Sequence, residues 1–232
     1  MSGFAFKQFK VEHDLCAMKV STDGILLGAW AKLANGQSAL DIGTGTGLLA
    51  LMCKQRTPSV AMTAVEIDGS AYHQAKQNIE QSPWPDIALY HQSIQEFATE
   101  TPFDVVISNP PYFNNSLKGD DAARNAARHT DGLSFAQLIS AFKRLTHDAA
   151  LFNLILPSSE AQVFIAEATA QGLYLQNHCL VQTKKTKPAT RSLMCFGYQE
   201  VAYQQQNLII HNGEGGYSKD YIALCKDFYL KM

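Results

Sequence analysis

The chain has 232 residues, of which 46% are hydrophobic; this fits a globular protein with a buried core and excludes disordered and fibrous classes. Its 19 basic and 21 acidic residues give a formal net charge of -2. This near balance excludes a protein that binds nucleic acid by charge over its whole surface, but it allows a local basic patch.

The sequence carries no sign of secretion or of a membrane span. Residues 1–14 lack the continuous apolar stretch of a signal peptide, and the most apolar windows are too short to cross a bilayer. The five cysteines are scattered and the histidines show no ligand spacing, so neither a disulfide framework nor a metal site is expected. We therefore expect a cytoplasmic protein with reduced thiols.

Apolar runs of strand length alternate with stretches of helical periodicity from residue 38 to residue 171. The predicted strands are Ser38–Ile42, Ala61–Ile67, Ile87–His91, Phe103–Ser108 and Ala150–Leu156. The predicted helices are Leu48–Lys54, Ser70–Gln81, Phe135–Leu145 and Glu160–Gln171. Because the strands are mostly apolar on both faces, the pattern predicts a parallel α/β sheet covered by helices on both sides.

After Gly172 the pattern changes to consecutive strands. Leu175–Gln182 and Ser192–Tyr203 are separated by too few residues for a crossover helix, so they must pair antiparallel. A further strand, Asn207–His211, precedes a last helix, Ser218–Leu230. No linker divides the chain, and we predict one domain with three parts: an N-terminal lid or extension (1–35), a catalytic core (36–205) and a C-terminal strand and helix (206–232).

A glycine-rich turn, Asp41–Gly47, lies where the first predicted strand meets the first predicted helix. Glycines permit positive φ and close approach to a ligand, and the helix N-terminus offers free N–H groups. The G-x-G-x-G spacing differs from the dinucleotide G-x-G-x-x-G, which disfavours a nicotinamide oxidoreductase. Glu66 ends the second strand and is placed to bind two ribose hydroxyls, while Asp41 suits an ammonium group. A tight turn without a ligand is the structural alternative.

The segment Asn109–Tyr112, with the sequence N-P-P-Y, follows the fourth predicted strand at the edge of the sheet where ligands bind in open α/β folds. Its two prolines fix φ and present carbonyl groups. Asn109 Oδ1 and the Pro110 carbonyl can each accept one N–H of a conjugated amine, which frees its lone pair for attack, and Tyr112 offers a flat face for stacking. A proline turn with a buried aromatic is the alternative.

With this order of elements, the glycine turn and Glu66 make residues 38–205 resemble the class I S-adenosylmethionine-dependent methyltransferases. The resemblance implies a Rossmann-like α/β fold, a seven-stranded and mostly parallel sheet that ends in an antiparallel hairpin, and S-adenosylmethionine as cofactor. Asp41, Gly43 and Gly45 would line its methionine end and Glu66 its ribose, while Ser93 replaces an aspartate that often contacts the adenine. The implied cofactor-binding residues are Asp41, Gly43, Gly45, Gly47, Glu66, Ile67, Ser93, Ile94 and Asn109.

The N-P-P-Y segment resembles the motif of methyltransferases that act on adenine N6, guanine N2 or a glutamine amide, which implies Asn109, Pro110 and Tyr112 as catalytic residues. Thr22 and Asp23 lie in a segment similar to the N-terminal lid of RNA-modifying relatives, and we expect them to close over the cofactor. A simple helix N-cap is the alternative reading of that pair.

Two basic segments are candidates for RNA binding. The hairpin 183–191 has four cations and no acid, and the polar stretch 114–130 has three further candidates. Solvated surface charge is the alternative for both. The candidate residues are Lys184, Lys185, Lys187, Arg191, Lys118, Arg124 and Arg128.

The whole pattern is most similar to the family of bacterial adenine-N6 methyltransferases that modify the adenosine 3′ of the anticodon, position 37, in valine tRNA. This resemblance implies a tRNA substrate, and we expect a monomer that uses neither metal nor membrane. Methylation of guanosine N2 in rRNA, or of a release-factor glutamine, is the alternative within the same chemistry. A non-catalytic RNA-binding module of this fold is the alternative of a different class.

Overall fold

The computed structural model of the protein describes residues 3–16, 19–33, 37–111 and 133–232. The strands are β1 (Gly3–Ala5), β2 (Lys10–Glu12), β3 (Ser38–Ile42), β4 (Ala61–Glu66), β5 (Ala88–His91), β6 (Phe103–Ser108), β7 (Thr146–Pro157), β8 (Tyr174–Lys184), β9 (Arg191–Gly197) and β10 (Gln205–His211). The helices are α1 (Thr22–Trp30), α2 (Leu48–Arg56), α3 (Gly69–Glu80), α4 (Phe135–Leu145), α5 (Ser158–Ala170) and α6 (Lys219–Cys225).

The main sheet confirms the predicted α/β class. Its strand order is β10-β8-β9-β7-β6-β3-β4-β5. From β7 to β5 all neighbours are parallel, whereas β9 pairs antiparallel with both β7 and β8. The carboxyl ends of β3, β4 and β6 therefore meet at one edge, and the end of β8 and the start of β9 lie at that same edge.

The sheet has eight strands instead of the expected seven, because β10 joins it at the β8 edge. β9 is already flanked by β7 and β8, so the next strand cannot pair with it and adds to the open edge of β8, in parallel. The last helix is also shorter than predicted. The chain turns back after Cys225, and Tyr229 pairs with Phe6 near the N-terminal ribbon.

Helices cover both faces of the sheet, and each face has its own buried core. Residues of α1, α2 and α6 belong to one cluster, and residues of α4 and α5 belong to the other. In α1, Gly28 lets the helix lie directly on α2, since a Cβ there would meet the Met52 Sδ at 2.5 Å. Helix α1 is thus part of the core. None of the described helices is long and apolar enough to cross a membrane.

Candidate active site

The glycine turn between β3 and α2 has an open side that faces solvent. Gly43 and Gly45 take φ values of 70° and 59°, which side chains rarely adopt, and a Cβ at either position would meet no atom within 4 Å. Gly47 also has positive φ, at 81°, and it starts α2 without a side-chain cap. The turn therefore leaves room for a ligand, and its N-cap residue offers no side chain to the first amides of α2.

Glu66 ends β4 and holds the turn in place. Its Oε2 accepts the Gly45 amide at 2.8 Å, and its Oε1 accepts the amides of Ile67 and Asp68 at 2.9 Å each. The side chain is buried at 7% exposure. Because each carboxylate oxygen has two acceptor sites, Oε2 keeps capacity for a ligand hydroxyl beside the turn.

Asp41 lies at the end of β3 and is fully buried. The Thr44 hydroxyl donates to its Oδ2 at 2.6 Å, whereas no hydrogen bond of ordinary geometry reaches Oδ1 from the described residues. The pKa of this carboxyl is raised to about 7, chiefly by burial and also by the charge of Glu66, while hydrogen bonding from Thr44 and from the Ala50 backbone opposes the rise. A buried carboxylate with an unpartnered oxygen is suited to a cation, because a positive ligand would offset its desolvation.

The remaining predicted cofactor residues near the rim beside Glu66 are Ile67, Ser93 and Ile94, and they differ in how far they are exposed. Ile67 is 68% exposed, so an apolar side chain is available there for contact with a ligand. Ser93 is half-buried, and its hydroxyl accepts the Gln95 backbone amide at 3.2 Å. Ile94 is buried in the core, and its carbonyl accepts Arg144. The structure brings Ile67 and Glu66 together at the rim and places the Ile94 side chain below it.

Sequence reasoning missed a neighbour of this rim, the segment that contains Leu15 and Cys16. The Leu15 amide donates to Gln74 Oε1 on α3 at 3.1 Å. Burial, together with the nearby charges of Glu66 and Asp68, raises the pKa of the Cys16 thiol to about 11. The N-terminal extension therefore passes beside the acidic end of β4. Leu15 and Gln74 are more than fifty residues apart in the sequence, so no local motif could have predicted this contact.

The N-P-P segment begins directly beside the glycine turn. The Ser108 hydroxyl at the end of β6 donates to the Ile42 carbonyl at the end of β3, at 2.9 Å. Asn109 is half-buried, Pro110 is buried and Pro111 is exposed. Tyr112, the predicted stacking residue, lies outside the described residues. A buried hydrogen bond between the last residues of β6 and β3 thus places the predicted catalytic asparagine next to the glycine turn.

The basic hairpin between β8 and β9 stands at the same edge of the sheet. Lys184, Lys185 and Lys187 are exposed and form no ion pair among the described residues. Arg191 differs from the expectation of four uncompensated cations, because its Nε lies 2.7 Å from Asp23 Oδ2. The other predicted RNA-binding residues, Lys118, Arg124 and Arg128, lie outside the described residues.

Thr22 and Asp23 stand at the start of α1, where Ser21 caps the helix by accepting the Gly24 amide at 3.2 Å. The two residues line a cavity together with Arg191. Gly24 packs on Leu48, the first residue of α2, so the start of α1 lies between the glycine turn and the hairpin. Within the described parts of the chain, no group of three or more potential metal ligands occurs.

This strand order, with the glycine turn and acidic residue at its carboxyl edge, defines a class I methyltransferase. The model of the methyltransferase small domain family matches residues 22–130. A crystal structure described as a predicted O-methyltransferase from Agrobacterium tumefaciens superposes with a TM-score of 0.69 at 18% identity, covering 89% of this chain and 96% of that one.

The chain belongs to the family of tRNA1(Val) (adenine(37)-N6)-methyltransferases. The protein of that name from Pseudoalteromonas translucida is 64% identical over 232 residues, which is 100% of both chains. The one from Phocaeicola vulgatus is 46% identical over 99% of this chain and 98% of its own length.

Proposed function

We propose that this protein transfers a methyl group from S-adenosylmethionine to the exocyclic N6 amine of an adenosine in tRNA, at position 37 of tRNA1(Val). The observation that carries the proposal is the placement of Asn109 beside the glycine turn, through the hydrogen bond of Ser108 to Ile42. The relatives, which match over the whole chain, support the choice of nucleotide and tRNA.

The described residues fit the cofactor at both of its polar ends. Asp41 has a buried, unpartnered oxygen, which fits the ammonium of the methionine part. Glu66 fits the ribose hydroxyls, and the exposed Ile67 side chain fits the flat adenine. Gly43 and Gly45 leave the turn free of side chains where the cofactor would pass. S-adenosylmethionine supplies an electrophilic methyl group on a sulfonium.

Asn109 and Pro110 act on the amine of the substrate. The lone pair of an exocyclic amine is delocalised into the ring, so the amine is a weak nucleophile. If Asn109 Oδ1 and the Pro110 carbonyl each accept one of its N–H bonds, the lone pair is turned out of the ring plane and becomes available. Most of the rate then comes from positioning, and no strong base is required before transfer, because the exocyclic nitrogen loses its extra proton only after it has received the methyl group. We assign the stacking of the flipped purine to Tyr112.

The basic hairpin between β8 and β9 binds the RNA backbone in this proposal. Lys184, Lys185 and Lys187 are exposed at the edge that carries Asn109, where they can contact phosphates. Lys118, Arg124 and Arg128 follow Tyr112 in the sequence, and we assign them to the same substrate. We further propose that the protein is a monomer whose single chain carries the whole site. Residues 1–35, 36–205 and 206–232 then form one domain. A tRNA substrate is consistent with a location in the cytoplasm.

The test is to incubate the purified protein with labelled S-adenosylmethionine and tRNA from a strain that lacks the modification, followed by nucleoside digestion and mass spectrometry. We expect N6-methyladenosine at position 37 of tRNA1(Val). Label in guanosine, or in a release factor supplied in parallel, would show that the site acts on a different amine. If adenosine, guanosine and the release factor all remain unlabelled while the protein still binds the cofactor, the non-catalytic RNA-binding module would be favoured.

A further inference from the structure

A second feature of the carboxyl edge is a cavity of about 280 Å³, lined in part by Thr22 and Asp23, to which the proposed methyl transfer gives no role. It lies between the start of α1, the ends of β8 and β10 and the C-terminal residues. Its floor is apolar, and its walls carry hydroxyl groups and an ion pair. The residues that matter here are Asp23, Arg191, His211, Tyr217, Tyr221 and Tyr229.

The aromatic wall of the cavity is held together by ring and hydroxyl contacts. His211 and Tyr217 stack with ring centroids 5.4 Å apart and an interplanar angle of 20°, and Tyr217 lies 4.9 Å from Tyr221. The hydroxyls of Tyr221 and Tyr229 are 3.1 Å apart. Tyr221 is buried, whereas Tyr217 keeps 40% of its surface exposed. The wall is therefore a fixed platform with one accessible ring.

The polar wall offers both signs of charge next to that ring. Asp23 and Arg191 form an ion pair at 2.7 Å, and their side chains are 15% and 32% exposed. A carboxylate accepts the amino and imino hydrogens of a base, while a guanidinium donates to ring nitrogens and carbonyl oxygens or stacks on the base. A planar group with mixed donors and acceptors fits this combination better than a simple phosphate.

The position of the cavity relates it to an RNA loop bound at Asn109. The strands β9, β8 and β10 stand two, three and four neighbours away from β6, so the cavity lies about 10 to 20 Å from the end of β6 along the edge. His211 is in register with Lys184, which places the exposed lysines of the hairpin beside the opening. A short single-stranded run can therefore lie at Asn109 and at the cavity together.

We propose that this cavity binds a second, unmethylated base of the substrate RNA loop, stacked on Tyr217 and held at its edge by Asp23 and Arg191. The proposal rests on the proposed function, because it requires an RNA substrate. Stacking of single-stranded bases on exposed tyrosines is a general mode of RNA recognition. The second base would hold the loop in register while the target purine is turned into the site at Asn109.

The experiment compares methyl transfer by the native protein with that by Tyr217→Ala and Tyr217→Phe, using an anticodon stem-loop or tRNA transcript. Tyr217→Ala should raise the RNA KM by about ten-fold or more, while Tyr217→Phe, which keeps the ring, should stay within about two-fold. The matched control is Tyr203→Ala, because Tyr203 is 41% exposed but lies before the start of β10, at the opposite edge. The Kd of S-adenosylmethionine should not change in any of the three variants, whereas Tyr217→Ala should lower the Tm because it removes the ring contacts with His211 and Tyr221.

A second series uses the native protein and stem-loops with an abasic nucleotide at each loop position in turn. One position other than the target should lose affinity, and that loss should disappear in Tyr217→Ala, because the two changes remove the same contact. Equal losses in both proteins, an unchanged KM in Tyr217→Ala, or a weaker cofactor Kd in that variant would each overturn the proposal. If the native protein methylates no RNA at all, the proposed function fails instead.

Discussion

The Ser108 hydroxyl donates a buried hydrogen bond of 2.9 Å to the Ile42 carbonyl, and this bond joins the last residues of β6 and β3. The residue after Ser108 is Asn109, and the residue after Ile42 is Gly43. Asn109 is proposed to orient the amine, and the glycine turn is proposed to hold the methyl donor. The residues that directly precede them are therefore hydrogen-bonded to each other. Such a link can fix the distance over which transfer takes place.

Ser108→Ala should lower kcat by roughly ten- to hundred-fold, since a small displacement of Asn109 from the turn is costly to a transfer that relies on positioning. The free energy of unfolding should fall by about 1 to 3 kcal/mol, because the Ile42 carbonyl loses a buried partner. Single-turnover kinetics and thermal unfolding check both effects.

The matched control is Ser38→Ala. The Ser38 hydroxyl donates to Asp104 at 2.9 Å and links the same two strands at the opposite edge of the sheet. This variant should lose stability but keep kcat. Equal losses of kcat in both variants would show that Ser108 acts only on stability.

Asn109→Ala should reduce methyl transfer by roughly 100-fold or more and leave the Kd of S-adenosylmethionine nearly unchanged, because the proposed role of the lost group is to orient the substrate amine. Rapid quench kinetics and calorimetry measure the two quantities. Asn207→Ala, an exposed asparagine of β10 near the amino edge, is the control and should behave as the native protein. Parallel loss of transfer and of cofactor binding would identify Asn109 as a cofactor or folding residue.

Glu66→Gln should weaken binding of S-adenosylmethionine by about ten-fold or more and should also destabilise the free protein. The second effect follows because the carboxylate accepts three backbone amides, and an amide NH₂ can only oppose a donor. Calorimetry and thermal unfolding without cofactor give the two readouts. Glu80→Gln, at the exposed end of α3, serves as control. A loss of affinity without loss of stability would contradict the bracing role of Glu66.

The glycine turn, Glu66 and the N-P-P segment could be predicted from sequence because each depends on a short local pattern and on the strand that precedes it. The pairing of Asp23 with Arg191 could not, since 168 residues separate them and only the packing of α1 near the hairpin brings them together. The place of β10 could not be predicted either. It depends on which edge β7, β8 and β9 leave open, and no local pattern records that.

Asp41 should make stability and cofactor affinity depend on pH. Its pKa is raised from 3.8 to about 7 in the folded protein, so between about pH 4 and 7 the native state binds one more proton than the unfolded chain. The free energy of unfolding should therefore fall as pH rises through this window. Binding of S-adenosylmethionine, whose ammonium requires the charged carboxylate, should tighten over the same range.

Asp41→Asn should remove this contribution to both pH profiles and weaken cofactor binding at pH 8. Chemical unfolding and calorimetry between pH 5 and 8 provide the measurements. An unchanged pH dependence of affinity in the variant would assign the proton to another group.

Replacement of Lys184, Lys185 and Lys187 by glutamine should raise the RNA KM and make it less sensitive to salt. Each phosphate contact contributes about 0.7 to 0.9 to the slope of log affinity against log salt, so loss of three contacts should reduce the slope by about 2 to 3. The control replaces Lys10, Lys76 and Lys143 by glutamine. These lysines are also exposed, and their replacement removes the same net charge elsewhere on the surface. Methyl transfer at several salt concentrations distinguishes the two triple variants. Because the proposed cofactor site lies at the ends of β3 and β4, the Kd of S-adenosylmethionine should stay constant in both triple variants. If the control changes the slope as much as the hairpin variant does, long-range charge and not the hairpin attracts the RNA.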